Sequence, residues 1–228
     1  MIGNDIFFFN SLLSTNDYVK KHLNELEDGA IVVAKQQIAG RGRRGNQWIS
    51  NEGNLFFTLR LKKDKEAFPY IMQISNILVQ IFDVCNINAM IKYPNDILVN
   101  GRKIAGVLIE MIEDDVVLGI GLNVNEDQFE ALTHKATSIK IETGKEIDPL
   151  DVLNLFIHLF NQTEKLTEEE QYYLYKDKSF VIGKNIMFEG HEATITDITP
   201  KGLIKVDYDN TFSVLSMNEI SLKELYYD

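Results

Sequence analysis

A short loop rich in glycine and arginine is the first segment whose residues could do chemistry. It reads Gly40-Arg41-Gly42-Arg43-Arg44-Gly45. Glycine permits backbone angles that other residues resist, and arginine offers forked, permanently charged donors that suit carboxylates and phosphates. The segment therefore predicts a cationic flap that folds over an anion. The alternative is a solvated, disordered basic loop.

The same six residues match the glycine pattern of a dinucleotide-binding loop, but their context does not fit. That fold requires the glycines to open a helix after a strand, with an acidic residue about 20 positions later. Here the strand-like run Leu55 to Leu61 follows instead of a helix. A kinase glycine loop is excluded too, because the chain has neither an HRD-type catalytic loop nor a DFG triplet.

A second segment, residues 92–106, predicts a β-hairpin. Asn100-Gly101 between two apolar runs is the strongest short-range hairpin signal and indicates a two-residue type I′ turn. In the resulting register Val99 opposes Arg102, Leu98 opposes Lys103 and Asp96 opposes Ala105.

Alternation then places four residues of this hairpin, Asp96, Leu98, Lys103 and Ala105, on one face of the sheet. The Cα atoms of Asp96 and Lys103 are expected on a diagonal, roughly 7–8 Å apart, so that carboxylate and ammonium point into the same space. The alternative is an ordinary cross-strand ion pair, which contributes little. Pro94 argues against it, because a proline in a strand interrupts the ladder and marks an edge or a shaped site.

The third segment is Gly119-Ile120-Gly121-Leu122-Asn123, near the end of an apolar strand. Its two glycines share one face, where a ligand could approach the backbone closely. Asn123 has the same parity. A glycine-kinked sheet packed under a helix would give the same pattern.

The remaining pattern supplies the elements that must position these segments. Helices are predicted from the N-cap Ser14 to about Leu26, from Pro69 to about Val84, from Asp148-Pro149 onwards and from the capping box at Thr167 to about Asp177. Strands are predicted at residues 6–9, 30–35, 55–61, 89–93, 97–99, 103–112 and 116–124, with Ile6 to Phe9 buried. Together they favour an α+β fold with a mostly antiparallel sheet and flanking helices.

The periodicity changes at about Phe180. Short alternating strands separated by Gly183, Gly190 and Gly202 fill the last fifty residues or so and predict a small β-barrel. We therefore expect two domains, residues 1–179 and 180–228.

Composition limits the function classes. The net charge of −11 argues against nonspecific nucleic-acid binding. Residues 1–103 hold 13 Lys+Arg and 10 Asp+Glu (+3), whereas residues 104–228 hold 10 and 24 (−14), so an anionic ligand should meet the first half.

A single cysteine, Cys85, excludes an intrachain disulfide, and four scattered histidines, His22, His134, His158 and His191, argue against structural zinc. Without an uninterrupted apolar run of about 20 residues or a signal sequence, we expect a cytoplasmic protein with no membrane contact.

Taken together, the three segments with Ser14-Thr15-Asn16 and Gln37 resemble biotin protein ligases in order and spacing. The close match runs from Leu13 to Asn125, and the later helices and terminal strands agree in outline. The resemblance implies a class II synthetase-like catalytic domain followed by an SH3-like barrel. Lipoate ligases and octanoyl transferases share the catalytic fold, but the chain looks less like them in residues 40–45 and 92–96.

The resemblance also implies residue roles. Biotin would contact Ser14, Thr15, Gln37, Gly40, Arg41, Lys103, Gly106 and Gly119; the ATP or adenylate would contact Arg43, Arg44, Trp48, Asn95, Asp96 and Asn123; and Asp96 would face a magnesium ion. Lys103, Arg41 and Arg43 are the catalytic candidates.

The implied activity is ATP-dependent formation of biotinyl-5′-AMP, followed by transfer of biotin to a lysine of a biotin carboxyl carrier protein. The motifs begin at Ser14, which leaves no room for the N-terminal helix-turn-helix of some family members, so no DNA binding is expected. A homodimer is compatible with the resemblance. The alternative hypotheses are a lipoate-adenylating ligase and a biotin-binding protein without catalysis.

Overall fold

A computed structural model describes residues 1–129, 135–163 and 165–216, together with residues 222 and 225; for residue 44 it describes the backbone only. His134 lies outside the described residues. The fold is α+β and contains two sheets, as the sequence predicts.

The larger sheet has seven strands: β1 (Ile6–Leu12), β2 (Ile31–Gln37), β3 (Leu55–Lys62), β4 (Met90–Lys92), β5 (Asp96–Val99), β6 (Arg102–Ile112) and β7 (Asp115–Leu122). Their order is β1-β2-β3-β7-β6-β5-β4. Of these seven described strands, β1 and β2 pair in parallel, and the other pairs are antiparallel. The prediction of a mostly antiparallel sheet is therefore confirmed.

In the described part of the chain, five helices accompany this sheet: α1 (Thr15–Lys21), α2 (Ala67–Val84), α3 (Ile139–Thr143), α4 (Pro149–Thr163) and α5 (Glu168–Asp177). Side-chain caps start two of them as predicted, since Ser14 accepts from the backbone of Asp17 and Thr167 forms a capping box with Glu170. Helix α1 is shorter than predicted and ends at Lys21, after which the chain turns.

The two faces of the sheet differ in what covers them. One face packs against α2 and α4 in the main hydrophobic core, where Phe57, Leu118 and Ile120 are almost fully buried. The other face carries α1 and a smaller cluster in which Val19 of the helix meets Val32 and Val117. Helix α2 is long and apolar enough to cross a membrane, but two thirds of it is buried inside the protein, as expected for a core helix.

Strand β1 forms one edge of the sheet, and this corrects the prediction of a buried strand at residues 6–9. Phe7 and Phe8 are 39% and 59% exposed. The apolar run does form a strand, but an edge strand is paired on one side only, so its apolar side chains are not all covered.

The predicted hairpin forms, with one error in register. Asn100 and Gly101 both have positive φ, as a type I′ turn requires, and Leu98 opposes Lys103. The prediction that Asp96 opposes Ala105 is wrong, because a bulge lets Asp96 oppose Gly106 instead. The extra residue turns Ala105 into the main core.

The last strands are β8 (Asn185–Phe188), β9 (His191–Ile198), β10 (Ile204–Tyr208) and β11 (Thr211–Leu215), in the order β11-β10-β9-β8. They form a four-stranded antiparallel sheet, and within the described residues this sheet does not close into a barrel. It packs against the rest of the chain: Phe68 lies against Gly202, and the Tyr93 hydroxyl donates to the Gly202 carbonyl at 2.6 Å.

Candidate active site

The face of the sheet opposite α2 and α4 carries the candidate site. Register across the strands aligns Thr58 with Gly119, and Gly121 with Gly106 and then Asp96. Three positions in the middle of this face therefore have no side chain. The space above them is filled by side chains from α1 and from the loop that follows β2.

Asn16 of α1 lies directly on Gly119. A Cβ built at Gly119 would have its three nearest neighbours, all within 3.0 Å, in the side chain of Asn16. The Asn16 amide is buried, accepts from the Thr58 hydroxyl at 2.7 Å and donates to Glu110 at 2.9 Å. The glycine is therefore needed for the approach of α1 to β7.

The start of α1 is joined to the end of β2 through Gln37. The Gln37 amide oxygen accepts from the Thr15 backbone N–H at 2.8 Å and lies 3.1 Å from the Thr15 hydroxyl, while its nitrogen donates to Ser50 at 2.9 Å. Ser14, Thr15 and Gln37, predicted as one group from separate parts of the sequence, are thus brought together.

Trp48 covers the two other glycines. A Cβ at Gly121 would lie 2.5 Å from the indole ring, and one at Gly106 would lie 3.0 Å from it. The Trp48 backbone N–H donates to the Gly40 carbonyl at 2.9 Å, which closes the base of the arginine loop. Its indole N–H is buried and has no hydrogen-bond partner among the described residues.

Lys103 extends into the same space. Its ammonium lies 2.8 Å from the Asp96 carboxylate and 4.7 Å from the centre of the Trp48 ring. The side chain is about one-third exposed. The predicted meeting of Asp96 and Lys103 is therefore confirmed, although a bulge at residues 97–98 shifts the register of the two strands. The Lys103 ammonium, which lies on the Trp48 ring and pairs with the Asp96 carboxylate, can also bind an anionic group of a ligand.

Two loop arginines lie at the borders of this space. Arg41 forms an exposed ion pair with Asp17 of α1 at 2.9 Å. Arg43 begins a short 3-10 turn (Arg43–Gly45) and donates to the Asn95 side chain at 2.7 Å. Asn95 is itself fixed, since its amide donates to the Val107 carbonyl at 2.5 Å. The side chain of the other predicted loop arginine, at position 44, lies outside the described part of the structure.

Asn123 is placed differently from the other site candidates. Its side-chain nitrogen donates to the Thr137 carbonyl at 2.9 Å, and its backbone N–H donates to Ile104. The amide therefore ties β7 to the segment after residue 134. That segment also pairs with Lys103, whose carbonyl accepts from the Thr137 N–H at 2.9 Å.

Residues 8–127, more than half of the 228, match the profile of the biotin/lipoate A/B protein ligase family. The chain belongs to this family. It is 34% identical over 71% of its length to the bifunctional ligase/repressor BirA of Bacillus subtilis, and it spans about half (54%) of that relative.

Two further proteins resemble the chain over most of their own length. The biotin–[acetyl-CoA-carboxylase] ligase of Paracoccus denitrificans is 32% identical over 64% of the chain and 68% of that protein. The structure of a biotin protein ligase from Aquifex aeolicus in complex with biotin and ATP superimposes with a TM-score of 0.84 over 96% of this chain and 98% of that one, at 24% identity. The latter likeness concerns the fold.

Three polar residues that hold the site residues in place were not predicted from the sequence. Thr58, Glu110 and Ser50 each bond to a predicted site residue or to its neighbour. A signal was available for two of them, because Thr58 and Glu110 are polar residues inside apolar strands. Asp17, the partner of Arg41, lies in the first turn of α1 and was not predicted as a site residue.

Burial and charge change the pKa values of three groups near this region or relevant to its chemistry. Burial raises the pKa of Tyr93 to about 12, although the charge of Arg43 works in the opposite direction. Burial also raises the pKa of the Cys85 thiol. For Lys20, burial lowers the pKa, but hydrogen bonds to Glu110 and Asp17 outweigh this effect and raise it. The cysteine therefore stays a thiol at neutral pH and is a poor nucleophile.

Proposed function

We propose that this protein is a biotin protein ligase that makes biotinyl-5′-AMP from biotin and ATP and transfers the biotin to a lysine of a biotin carboxyl carrier protein. The observation that carries the proposal is the position of Lys103, whose ammonium lies above a glycine-lined sheet face between Asp96 and Trp48. The family match and relatives named as biotin ligases support it.

The chemical problem is the repulsion between two anions, the biotin carboxylate and the α-phosphate of ATP. Lys103 would supply positive charge between them, with Arg41 and Arg43 on either side. Arg41 would exchange its partner Asp17 for the substrate, since this ion pair is exposed and contributes little. Most of the rate gain would come from orientation and preorganised charge.

The two ligands would occupy different parts of the site. We assign the biotin head group to the polar cluster of Ser14, Thr15 and Gln37, with Gly40, Gly106 and Gly119 allowing close approach of the backbone. We assign the nucleotide to the region of Arg43, Arg44, Trp48, Asn95, Asp96 and Asn123. The indole N–H of Trp48, which has no hydrogen-bond partner among the described residues, and the partly exposed Lys103 support a rearrangement of the loop when the ligands bind.

A magnesium ion fits this donor set only if substrate phosphates supply most of its ligands. The described residues hold no group of three His, Cys, Asp or Glu side chains arranged around a metal. Asp96 is the one carboxylate that we assign to it, and magnesium in ATP-dependent enzymes is usually held by one or two carboxylates and by phosphates. Such an ion would neutralise phosphate charge.

In the second step a neutral lysine amine of the carrier would attack the mixed anhydride and release AMP. No protein nucleophile is required, in agreement with the raised pKa of Cys85. We place the enzyme in the cytoplasm, as a protein that binds neither DNA nor membranes, as a monomer or homodimer. Residues 1–179 would hold the ligand sites, and residues 180–228 would form the smaller domain.

Pyrophosphate–ATP exchange tests the first step. Biotin should support exchange, and lipoate should not. Exchange with lipoate alone would instead identify a lipoate ligase, whereas biotin binding by calorimetry without exchange would identify a non-catalytic binding protein. Labelled biotin, ATP and a purified carrier domain test the second step, and label should appear on the carrier lysine.

A further inference from the structure

Glu110 of β6 lies beneath α1 and contacts two side chains one helical turn apart. One carboxylate oxygen accepts from the Asn16 amide at 2.9 Å, and the other meets the Lys20 ammonium at 2.9 Å. Lys20 also pairs with Asp17 at 2.9 Å, and Asp17 in turn pairs with Arg41. None of these carboxylates is among the residues that sequence reasoning placed at the site.

The contacts around Asn16 have a fixed direction. A carboxylate can only accept, so the NH₂ group of Asn16 must face Glu110. The Asn16 oxygen, which also can only accept, must then receive the single hydrogen of the Thr58 hydroxyl. Thr58 is consequently left as an acceptor toward the Thr15 hydroxyl, 2.8 Å away.

Burial makes this direction matter. Asn16 and Thr58 are 4% and 0% exposed, so water does not replace a lost partner. An unsatisfied polar group in such a place costs more than an ordinary hydrogen bond contributes. Reversing the Asn16 amide would place its oxygen against the Glu110 carboxylate, which the charge forbids. The Thr15 hydroxyl therefore gives its hydrogen to Thr58, the nearer of its two oxygen partners at 2.8 Å against 3.1 Å for Gln37, and presents an acceptor to the site.

We propose that Glu110 is a positioning residue that fixes the orientation of the Asn16 amide and, through Thr58, the donor and acceptor roles of Thr15 in the site. This inference rests on the proposed function for the identity of the ligand, a cyclic urea with both N–H donors and a carbonyl acceptor. Such a ligand binds only if each hydroxyl at the site presents the correct role, donor or acceptor.

Glu110→Gln tests the proposal with almost no change in shape. The new amide can donate as well as accept, so Asn16 and the hydroxyls lose their single orientation. We expect the KM for biotin in pyrophosphate exchange to rise about tenfold, with kcat at saturating biotin and the KM for ATP within twofold of the wild type. Glu113→Gln is the matched control, because it removes the same charge from the exposed turn between β6 and β7. This variant should change none of these values.

A second pair of variants follows the chain one residue further. Thr58→Val keeps the side-chain shape but removes the hydroxyl, whereas Thr58→Ser keeps the hydroxyl. The valine variant should reproduce the rise in the KM for biotin, and the serine variant should stay within threefold of the wild type. This pair also gives the answer if Glu110→Gln does not fold.

Two results separate the inference from the proposed function. A wild-type protein without biotin-dependent exchange would overturn the proposed function. The role of Glu110 alone would be overturned if the wild type showed normal exchange but Glu110→Gln and Thr58→Val left the KM for biotin unchanged. It would also be overturned if these variants changed kcat and both KM values equally.

Discussion

Replacing Gly119 by alanine should disconnect α1 from the sheet, and the cost follows from the contacts of Asn16. The added methyl overlaps the Asn16 side chain, which must leave its place. Its bond from Thr58 contributes about 1 kcal/mol and its bond to the Glu110 carboxylate about 2 kcal/mol. Alanine recovers about 0.5–1 kcal/mol relative to glycine in a strand. The free energy of unfolding should therefore fall by about 2 kcal/mol.

Urea denaturation measures this change. With a slope of about 2–3 kcal/mol per molar, the midpoint should move down by about 1 M. The decisive measurement is a double-mutant cycle, because the three atoms nearest to the new methyl all belong to Asn16. In an Asn16→Ala background, Gly119→Ala should be neutral or stabilising by about 0.5 kcal/mol. An equal loss in both backgrounds would refute the reasoning.

Four further predictions concern charge and reactivity. Lys103→Ala should reduce biotin-dependent pyrophosphate exchange by at least a hundredfold while the urea midpoint changes little, because the side chain is partly exposed. Arg43→Gly should increase release of free biotinyl-5′-AMP, measured by chromatography, since the contact of the loop with Asn95 is lost. Burial raises the pKa of Asp197, but hydrogen bonds from Lys176 and Tyr172 outweigh this effect and lower the pKa. The charged Asp197 carboxylate therefore stabilises the fold above about pH 4, and this stabilisation is lost as the pH falls through the folded-state pKa. Between pH 6 and pH 3, Asp197→Asn should lose less unfolding free energy than the wild type does. Cys85 should react slowly with a thiol reagent at pH 7.5, and its alkylation should leave exchange unchanged.

The parts of the fold that sequence predicted correctly are those fixed by local chemistry. The capping box at Thr167, the cap at Ser14 and the type I′ turn at Asn100-Gly101 each depend on a few neighbouring residues. The burial of β1 was predicted wrongly, because an apolar run specifies a strand but its place at an edge depends on the order of all seven strands. The bulge at residues 97–98 was not predicted, because the hairpin register was extended from the turn as regular pairing.

The site was predictable in its residue types but not in its supports. Lys103 and Asp96 were brought together by short-range pairing, which a turn and a period of two largely determine. The contact of Asn16 with Glu110 joins residues 94 positions apart, and no local pattern specifies it. The role of Gly119 could be inferred only as a place of close approach, since the side chain that occupies it comes from another element.

The two edges of the large sheet are not equivalent. The outer side of β4 is bonded by the chain itself, since Ile91 exchanges hydrogen bonds with Lys178 and Phe180. Strand β1, at the other edge, has no further strand beside it among the described residues. A sheet with one open edge can pair with one other copy through that edge. Edge-to-edge joining of identical copies would therefore end at a two-fold symmetric pair and would not continue into a filament.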